Sequence, residues 1–280
     1  MTVPNIALPD GTSIPQLGFG VFQVPPEDTA ATVVQAFEAG YRHIDTAQMY
    51  GNEAGVGEAI RTSGVARDDL YVTTKLNNSF HRPDDARREI DASLEKLGLD
   101  QVDLFLIHWP LPTQYDGDFV QTWRALIEAQ EAGKTRSIGV SNFQPAHLDR
   151  IVEETGVVPV VNQVEVHPFF SNEDVRAANQ RHGVLTEAWS PIAKGKVMDD
   201  DTIGEIASLV GRTPAQVTLR WHVQRGDIVF PKSMNPDRMR QNFEIFDFEL
   251  EPTHMSAIDE LDRGEEGRTG PNPDTFDWIP

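Results

Sequence analysis

The chain has 280 residues, no cysteine, and 44 acidic against 24 basic side chains, for a formal net charge of −20. Length leaves one or two domains open but supplies enough apolar surface to hold a core unaided; the lack of cysteine excludes disulfides, thiolate zinc sites and cysteine nucleophiles, as suits a reducing cytoplasm. The charge argues against nucleic acid, whose phosphates need clustered bases, and neither a secretory leader in residues 1–15 nor an apolar run long enough for a membrane span is found.

In chain order, a short hairpin comes first, with "LPDG" (Leu8 to Gly11) as its turn. Apolar runs of strand length then alternate with helical patterns about every 30 residues. The expected strands are Gln16–Gly20, Arg42–Asp45, Leu70–Lys75, Val102–Trp109, Arg136–Val140, Pro159–Val164, Val184–Ala188 and Ile228–Phe230. Helices are expected at Asp28–Ala39, Glu53–Ser63, Pro83–Leu97, Phe119–Ala132, Pro145–Thr155 and Asn172–Arg181, several ending near Gly. "VDLFLIHW" and "VVPVVNQVEV" are too continuously apolar for a half-exposed sheet and read as parallel strands covered on both faces. The reading is α/β, a (β/α)8 TIM barrel spanning residues 1–280 as one domain, with an open doubly wound sheet as the competing arrangement. Residues 262–280 turn Gly-, Pro- and acid-rich; they are either a frayed terminus or, because they carry Phe276 and Trp278, a lid over a pocket.

In a parallel barrel the site lies at the C-terminal ends of the strands, and Asp45, Lys75 and His108 close the second, third and fourth apolar runs. Taken singly, each has an ordinary structural reading as a cap, a solvated base or a buried histidine. Together they converge, and Tyr50, five residues after Asp45, can reach the same place. A free phenol ionises near pH 10, so a neighbouring cation is needed to make it an effective acid, and Lys75 supplies one. Asp45 would orient that ammonium and His108 would hydrogen-bond the reacting oxygen. The set suits proton transfer to a carbonyl. There is no H-E-x-x-H helix, no G-x-S-x-G elbow and no G-x-G-x-x-G fingerprint, and no metal is expected. A phosphate-bearing ligand would instead meet "FPKSMNPDRMRQN" (Phe230 to Asn242), where Lys232, Ser233 and Arg238 surround a helix start with unpaired N–H groups. Without further context, solvated bases at an ordinary helix start explain that stretch equally well.

"GYRHIDTAQMYGNE" (Gly40 to Glu53), Lys75 in "VTTKL", "LGLDQVDLFLIHWP" (Leu97 to Pro110), "KTRSIGVSNF" (Lys134 to Phe143) and the Phe230–Asn242 stretch together closely resemble the aldo-keto reductases. Within that family the chain looks most like the bacterial branch containing 2,5-diketo-D-gluconate reductase. The resemblance implies a catalytic tetrad of Asp45, Tyr50, Lys75 and His108. It implies that Ser141, Asn142 and Gln163 hold a nicotinamide carboxamide with Trp189 stacked on the ring. It further implies that Lys232, Ser233 and Arg238 hold a 2′-phosphate with Gln241 and Asn242 near the adenine, so that NADPH is preferred over NADH. The family's pattern commonly has tryptophan two residues after the catalytic lysine, and this chain has Asn77 there, which implies a wider or more polar substrate pocket. Its remaining walls would be Phe22, Trp109 and Trp278. The expected protein is a monomeric cytoplasmic reductase of small carbonyl compounds. The alternative is a nucleotide-sensing binding module on the same fold.

Overall fold

The computed structural model describes residues 2–280. It opens with an antiparallel hairpin, β1 (Asn5–Ala7) and β2 (Ser13–Pro15). Asp10 ties the turn by accepting from the Thr12 amide, and Gly11 takes the left-handed conformation the turn demands. Asp10 also accepts a 2.6 Å hydrogen bond from the Ser137 hydroxyl. Leu8 and Ile14 join Leu104, Leu106, Val161 and Ile228 in an apolar cluster, so the hairpin plugs the N-terminal end of the barrel.

Eight parallel strands follow: β3 (Phe19–Gly20), β4 (His43–Asp45), β5 (Tyr71–Leu76), β6 (Val102–Ile107), β7 (Thr135–Ser141), β8 (Val161–Glu165), β9 (Leu185–Trp189) and β10 (Ile228–Val229). They hydrogen-bond in sequence order, and a parallel bridge between Leu17 and Val229 joins the last strand to the first. The barrel is therefore closed, as expected, and the open doubly wound sheet is excluded.

Around it run α1 (Pro26–Ala39), α2 (Glu53–Thr62), α3 (Pro83–Leu97), α4 (Phe119–Glu131), α5 (Pro145–Thr155), α6 (Glu173–His182), α7 (Asp201–Val210), α8 (Pro214–Gln224), α9 (Pro236–Phe243) and α10 (Pro252–Asp259). Six of them (α1, α3, α5, α8, α9 and α10) start at proline, whose missing N–H costs nothing in a first turn. The two glycines inside α2 are packing features: a Cβ on Gly57 would collide with the Leu97 carbonyl at the end of α3.

Side chains alternate along each strand. On β5 the outward Val72 and Leu76 enter the layer between barrel and helices. Tyr71, Thr73 and Lys75 take the opposite parity and face the barrel interior. The same parity puts Asp45 of β4, Gln163 of β8 and Glu187 of β9 inside. Most strand boundaries lie one to three residues from expectation, and two of the differences bear on the site. The first barrel strand is only Phe19–Gly20, and β6 stops at Ile107, leaving His108 and Trp109 in the loop above it. α7 and α8 occupy the long interval before β10, which the periodicity had left undivided.

The tail is docked. Glu165 accepts hydrogen bonds from the Thr269 amide (2.7 Å), the Thr269 hydroxyl (2.5 Å) and the Gly270 amide (2.9 Å). Further on, the Asn78 amide donates to the Trp278 carbonyl at 3.0 Å and the Ser79 hydroxyl to that of Pro280 at 3.1 Å. Because Glu165 ends β8 and Asn78 follows β5, the tail crosses the C-terminal face of the barrel, which favours the lid over the frayed terminus. No helix among the described residues is long and apolar enough to cross a membrane.

Candidate active site

Asp45 is the last residue of β4 and Lys75 the penultimate residue of β5, and the register brings these strand ends together. The Lys75 ammonium is fully buried and donates to Asp45 Oδ1 at 2.7 Å, Oδ2 at 2.9 Å and the Thr46 carbonyl at 3.0 Å. Its remaining direction points to the Tyr50 hydroxyl at 3.4 Å. Burial disfavours the ammonium, but Asp45 and Tyr50 more than offset this and hold its pKa above the ordinary value. Lys75 is thus a permanent cation beneath the phenol.

Tyr50 sits in a short 3-10 turn (Gln48–Tyr50) closed by Gly51 in the left-handed conformation. That loop is fixed from below. Thr46 donates to Asn52 at 2.8 Å, and the Asn52 amide donates to the Val21 carbonyl at 2.9 Å. The expectation that Lys75 brings the phenol's pKa down is only half right. Lys75 does pull it down, but burial pushes it up more strongly, Asp45 adds to the rise, and the net shift is upward. The hydroxyl is held protonated, as a donor requires.

His108 meets Tyr50 edge to face, with centroids 5.7 Å apart. Burial, aided by Lys75, drives its pKa well below the usual histidine value, so the imidazole is neutral. Its Nδ1 is buried with no hydrogen-bond partner among the described residues. The four residues that the sequence singled out therefore converge on one point.

Asn142 follows β7 with φ of 64°, a left-handed conformation that asparagine tolerates. Gln23, Leu111 and Ser190 take the same conformation in the loops after β3, β6 and β9, so backbone strain gathers at this face. The Asn142 amide donates to the His108 carbonyl at 2.9 Å and to Ser141 Oγ at 3.0 Å, while its Oδ1 accepts from Trp189 Nε1 at 2.8 Å. Ser141 Oγ donates to the Gln163 carbonyl at 2.8 Å. Gln163 commits both amide hydrogens, to Asp45 Oδ2 at 2.9 Å and Glu187 Oε2 at 3.0 Å. Trp189 packs against Gly270, where a Cβ would strike its ring.

Lys232 and Arg238 are exposed, and neither side chain has a hydrogen bond or ion pair among the described residues. The helix N-terminus beside them is less open than expected. Asn235 caps α9, accepting from the Asp237 and Arg238 amides at 2.9 and 3.0 Å, so two of the N–H groups expected to be free are satisfied. Ser233 is buried in its own turn, bonded to the backbone of Asn235. Asn242 is buried and Gln241 exposed on α9.

The expected substrate walls are only partly assembled. Phe22 is 57% exposed and lies 5.0 Å from the Tyr50 ring. Asn77 spends its side chain on a turn, accepting from the Ser79 amide at 3.0 Å, while its backbone N–H donates to Gln48. Trp109 is buried against Phe276, at 4.1 Å between centroids, whereas Trp278 is 52% exposed. The tail aromatic that reaches Trp109 is Phe276. The sequence pointed to Trp278 rather than Phe276 as the tail's wall and did not point to Glu187 at all; for Glu187 the one signal available was an acid at an inward position of an apolar strand.

Fold and site together define a barrel oxidoreductase. The sequence pattern of the Aldo/keto reductase family matches residues 16–263. The chain is 49% identical over 276 residues to an aldo-keto reductase of Mycolicibacterium smegmatis, covering 99% of each. It is 48% identical to the methylglyoxal reductase DkgA of Yersinia pestis, covering 98% of this chain and 97% of that one. Among solved structures, a point variant of Gox0644 in complex with NADPH matches with a TM-score of 0.94 at 44% identity, covering 99% of each chain. The protein belongs to the aldo/keto reductase family and is an enzyme of that family.

Proposed function

We propose that the chain reduces small aldehydes and ketones, dicarbonyls such as methylglyoxal among them, with NADPH as reductant and Tyr50 as proton donor. The observation that carries this reading is the buried Asp45–Lys75 pair with its ammonium 3.4 Å from the Tyr50 hydroxyl.

The residues present fit the cofactor. Gln163 and Asn142 have spent their amide hydrogens within the protein, so their acceptor oxygens are what remains for a carboxamide N–H₂ donor. Trp189, steered by Asn142, offers a flat apolar face, and in a chain of net charge −20 the unpaired Lys232 and Arg238 match a phosphate dianion. Those two cations favour NADPH over NADH. When bound, the reduced nicotinamide supplies hydride to the carbonyl carbon.

The protein's own part is electrostatic. His108 is neutral, and its Nε2, which unlike Nδ1 is not sealed in the protein and makes no hydrogen bond among the described residues, hydrogen-bonds the carbonyl oxygen and aims it at Tyr50. As negative charge gathers on that oxygen, Tyr50 gives up its proton, and the phenolate left behind is stabilised by Lys75. Asp45 keeps Lys75 charged and in register. Phe276 and Trp109 keep water from the mouth. An apolar wall of this kind suits small uncharged dicarbonyls better than an anionic sugar acid, and 2,5-diketo-D-gluconate ranks below methylglyoxal. We place one such site on a single barrel, acting as a monomer.

The test is NADPH oxidation with methylglyoxal, phenylglyoxal, aromatic aldehydes and 2,5-diketo-D-gluconate, with NADH as control. Turnover preferring NADPH is expected. Measurable NADPH binding with no turnover of any carbonyl would instead favour the nucleotide-sensing module.

A further inference from the structure

Glu187 lies in the barrel interior with no exposure. Its position on β9 is paired in register with Gln163 on β8 and Ile228 on β10. Its Oε2 accepts from Gln163 Nε2, and its Oε1 is buried without a partner among the described residues. None of the cations among the described residues forms an ion pair with it. The groups that face it are Asp45 on β4, Tyr71 and Lys75 on β5, and Gln163 on β8. Lys75 is bound to Asp45 rather than to Glu187, Asp45 repels a second negative charge, and the Tyr71 hydroxyl is itself buried without a partner. Asp227, which precedes β10, is engaged with His222 and Arg176. His43, also inward on β4, is bonded to Thr73.

We propose that Glu187 is a positioning residue of the reduction: held as an uncharged acid it clamps the Gln163 amide against Asp45, and its deprotonation slows proton delivery by Tyr50. The inference rests on the function proposed above. The clamp follows from hydrogen-bond inventory: with one hydrogen on Asp45 and the other on Glu187, the Gln163 amide has a single orientation, and its oxygen is presented as an acceptor. The electrostatic half follows from where charge moves. Proton delivery turns Tyr50 into a phenolate supported by Lys75, and a second carboxylate inside the barrel opposes that new charge through a low-dielectric interior. Burial and the nearby Asp45 push the Glu187 carboxyl up to about 8, so its proton is lost just above neutrality, while burial holds the Tyr50 phenol above its ordinary value near 10.

Two measurements test this. The first is the pH profile of kcat for Glu187→Gln, which keeps the acceptor for Gln163 but cannot ionise. We expect wild-type kcat to fall roughly fivefold or more between about pH 7 and pH 9.5, and that of Glu187→Gln, normalised to its own value at neutrality, to change by less than about twofold. The second needs no turnover: infrared spectra of the cofactor-free protein should show a protonated-carboxyl band at neutral pH that disappears on raising the pH and is missing in Glu187→Gln. Glu53 is the other buried glutamate with a raised pKa, so a Glu53→Gln control that keeps the band assigns it to Glu187 even if Glu187→Gln does not fold. Superimposable wild-type and Glu187→Gln profiles, or no such band, overturn the inference while leaving the reductase reading intact. Loss of the reading itself is seen separately, as Tyr50→Phe retaining full turnover.

Discussion

Replacing Asp45 by Asn isolates the buried ion pair on which the site is built. Lys75 has no solvent exposure, and its ammonium meets two carboxylate oxygens, one carbonyl and one phenol. Asp45→Asn removes the one countercharge that Lys75 has among the described residues and leaves a cation among neutral acceptors. Breaking one side of a buried pair costs about 3–5 kcal/mol. For a chain of this size each kcal/mol moves the melting temperature by about 2–4 °C, so a drop on the order of 10 °C is expected. The deficit should shrink as pH rises, because an unpaired buried ammonium escapes its penalty by losing a proton. Removing both charges, in Asp45→Asn with Lys75→Met, takes the stranded cation away and should recover most of the stability. Activity should return in neither. The assay is thermal unfolding at two pH values beside NADPH-dependent turnover. A single variant melting within about 1 kcal/mol of wild type, or a double variant no more stable than the single one, would refute the reasoning that this pair is desolvated.

Tyr50→Phe should lower kcat by roughly 10²–10⁴, the usual worth of a positioned acid, while NADPH affinity measured by fluorescence quenching stays close to wild type. Lys232→Gly and Arg238→Ala should weaken NADPH binding by roughly tenfold or more and spare NADH, since each removes a charge-assisted contact; equal losses for both would contradict the phosphate assignment. Glu165→Gln turns an amide hydrogen toward donors of the tail, so trypsin should cut after Arg268 at least about tenfold faster through local opening, with KM for carbonyl substrates rising. Glu187 gives a stability signature of its own. Its carboxyl ionises near 8 when folded and near 4.5 when unfolded. Between those values the unfolded chain sheds a proton that the folded one keeps, so this acid costs nothing below the lower value and progressively more up to the higher one, reaching about 3 kcal/mol near pH 7. Glu187→Gln should therefore melt higher than wild type at pH 8 and no higher at pH 4.5, as followed by circular dichroism.

Chain-local physics was readable from the sequence. The 30-residue alternation of apolar runs and amphipathic helices marked out the barrel, because each element's period is a property of consecutive residues. Asp45 and Lys75 were found because they end apolar runs, and strand ends in such a barrel face one site. Tyr50 and His108 followed from their nearness in sequence to those ends. The nicotinamide and phosphate contacts were legible by resemblance, since nothing local distinguishes Trp189 from core. What only the tertiary structure decided depends on partners far apart in the chain. Whether Tyr50 is pushed up or down was settled by burial against Lys75, two opposed effects whose balance no spacing reveals. The tail's docking hangs on Glu165, more than a hundred residues earlier. Glu187 came to light only when closure of the barrel set its carboxyl beside Gln163 and Asp45 and away from water, because burial is a property of the assembled sheet and of no residue in it alone.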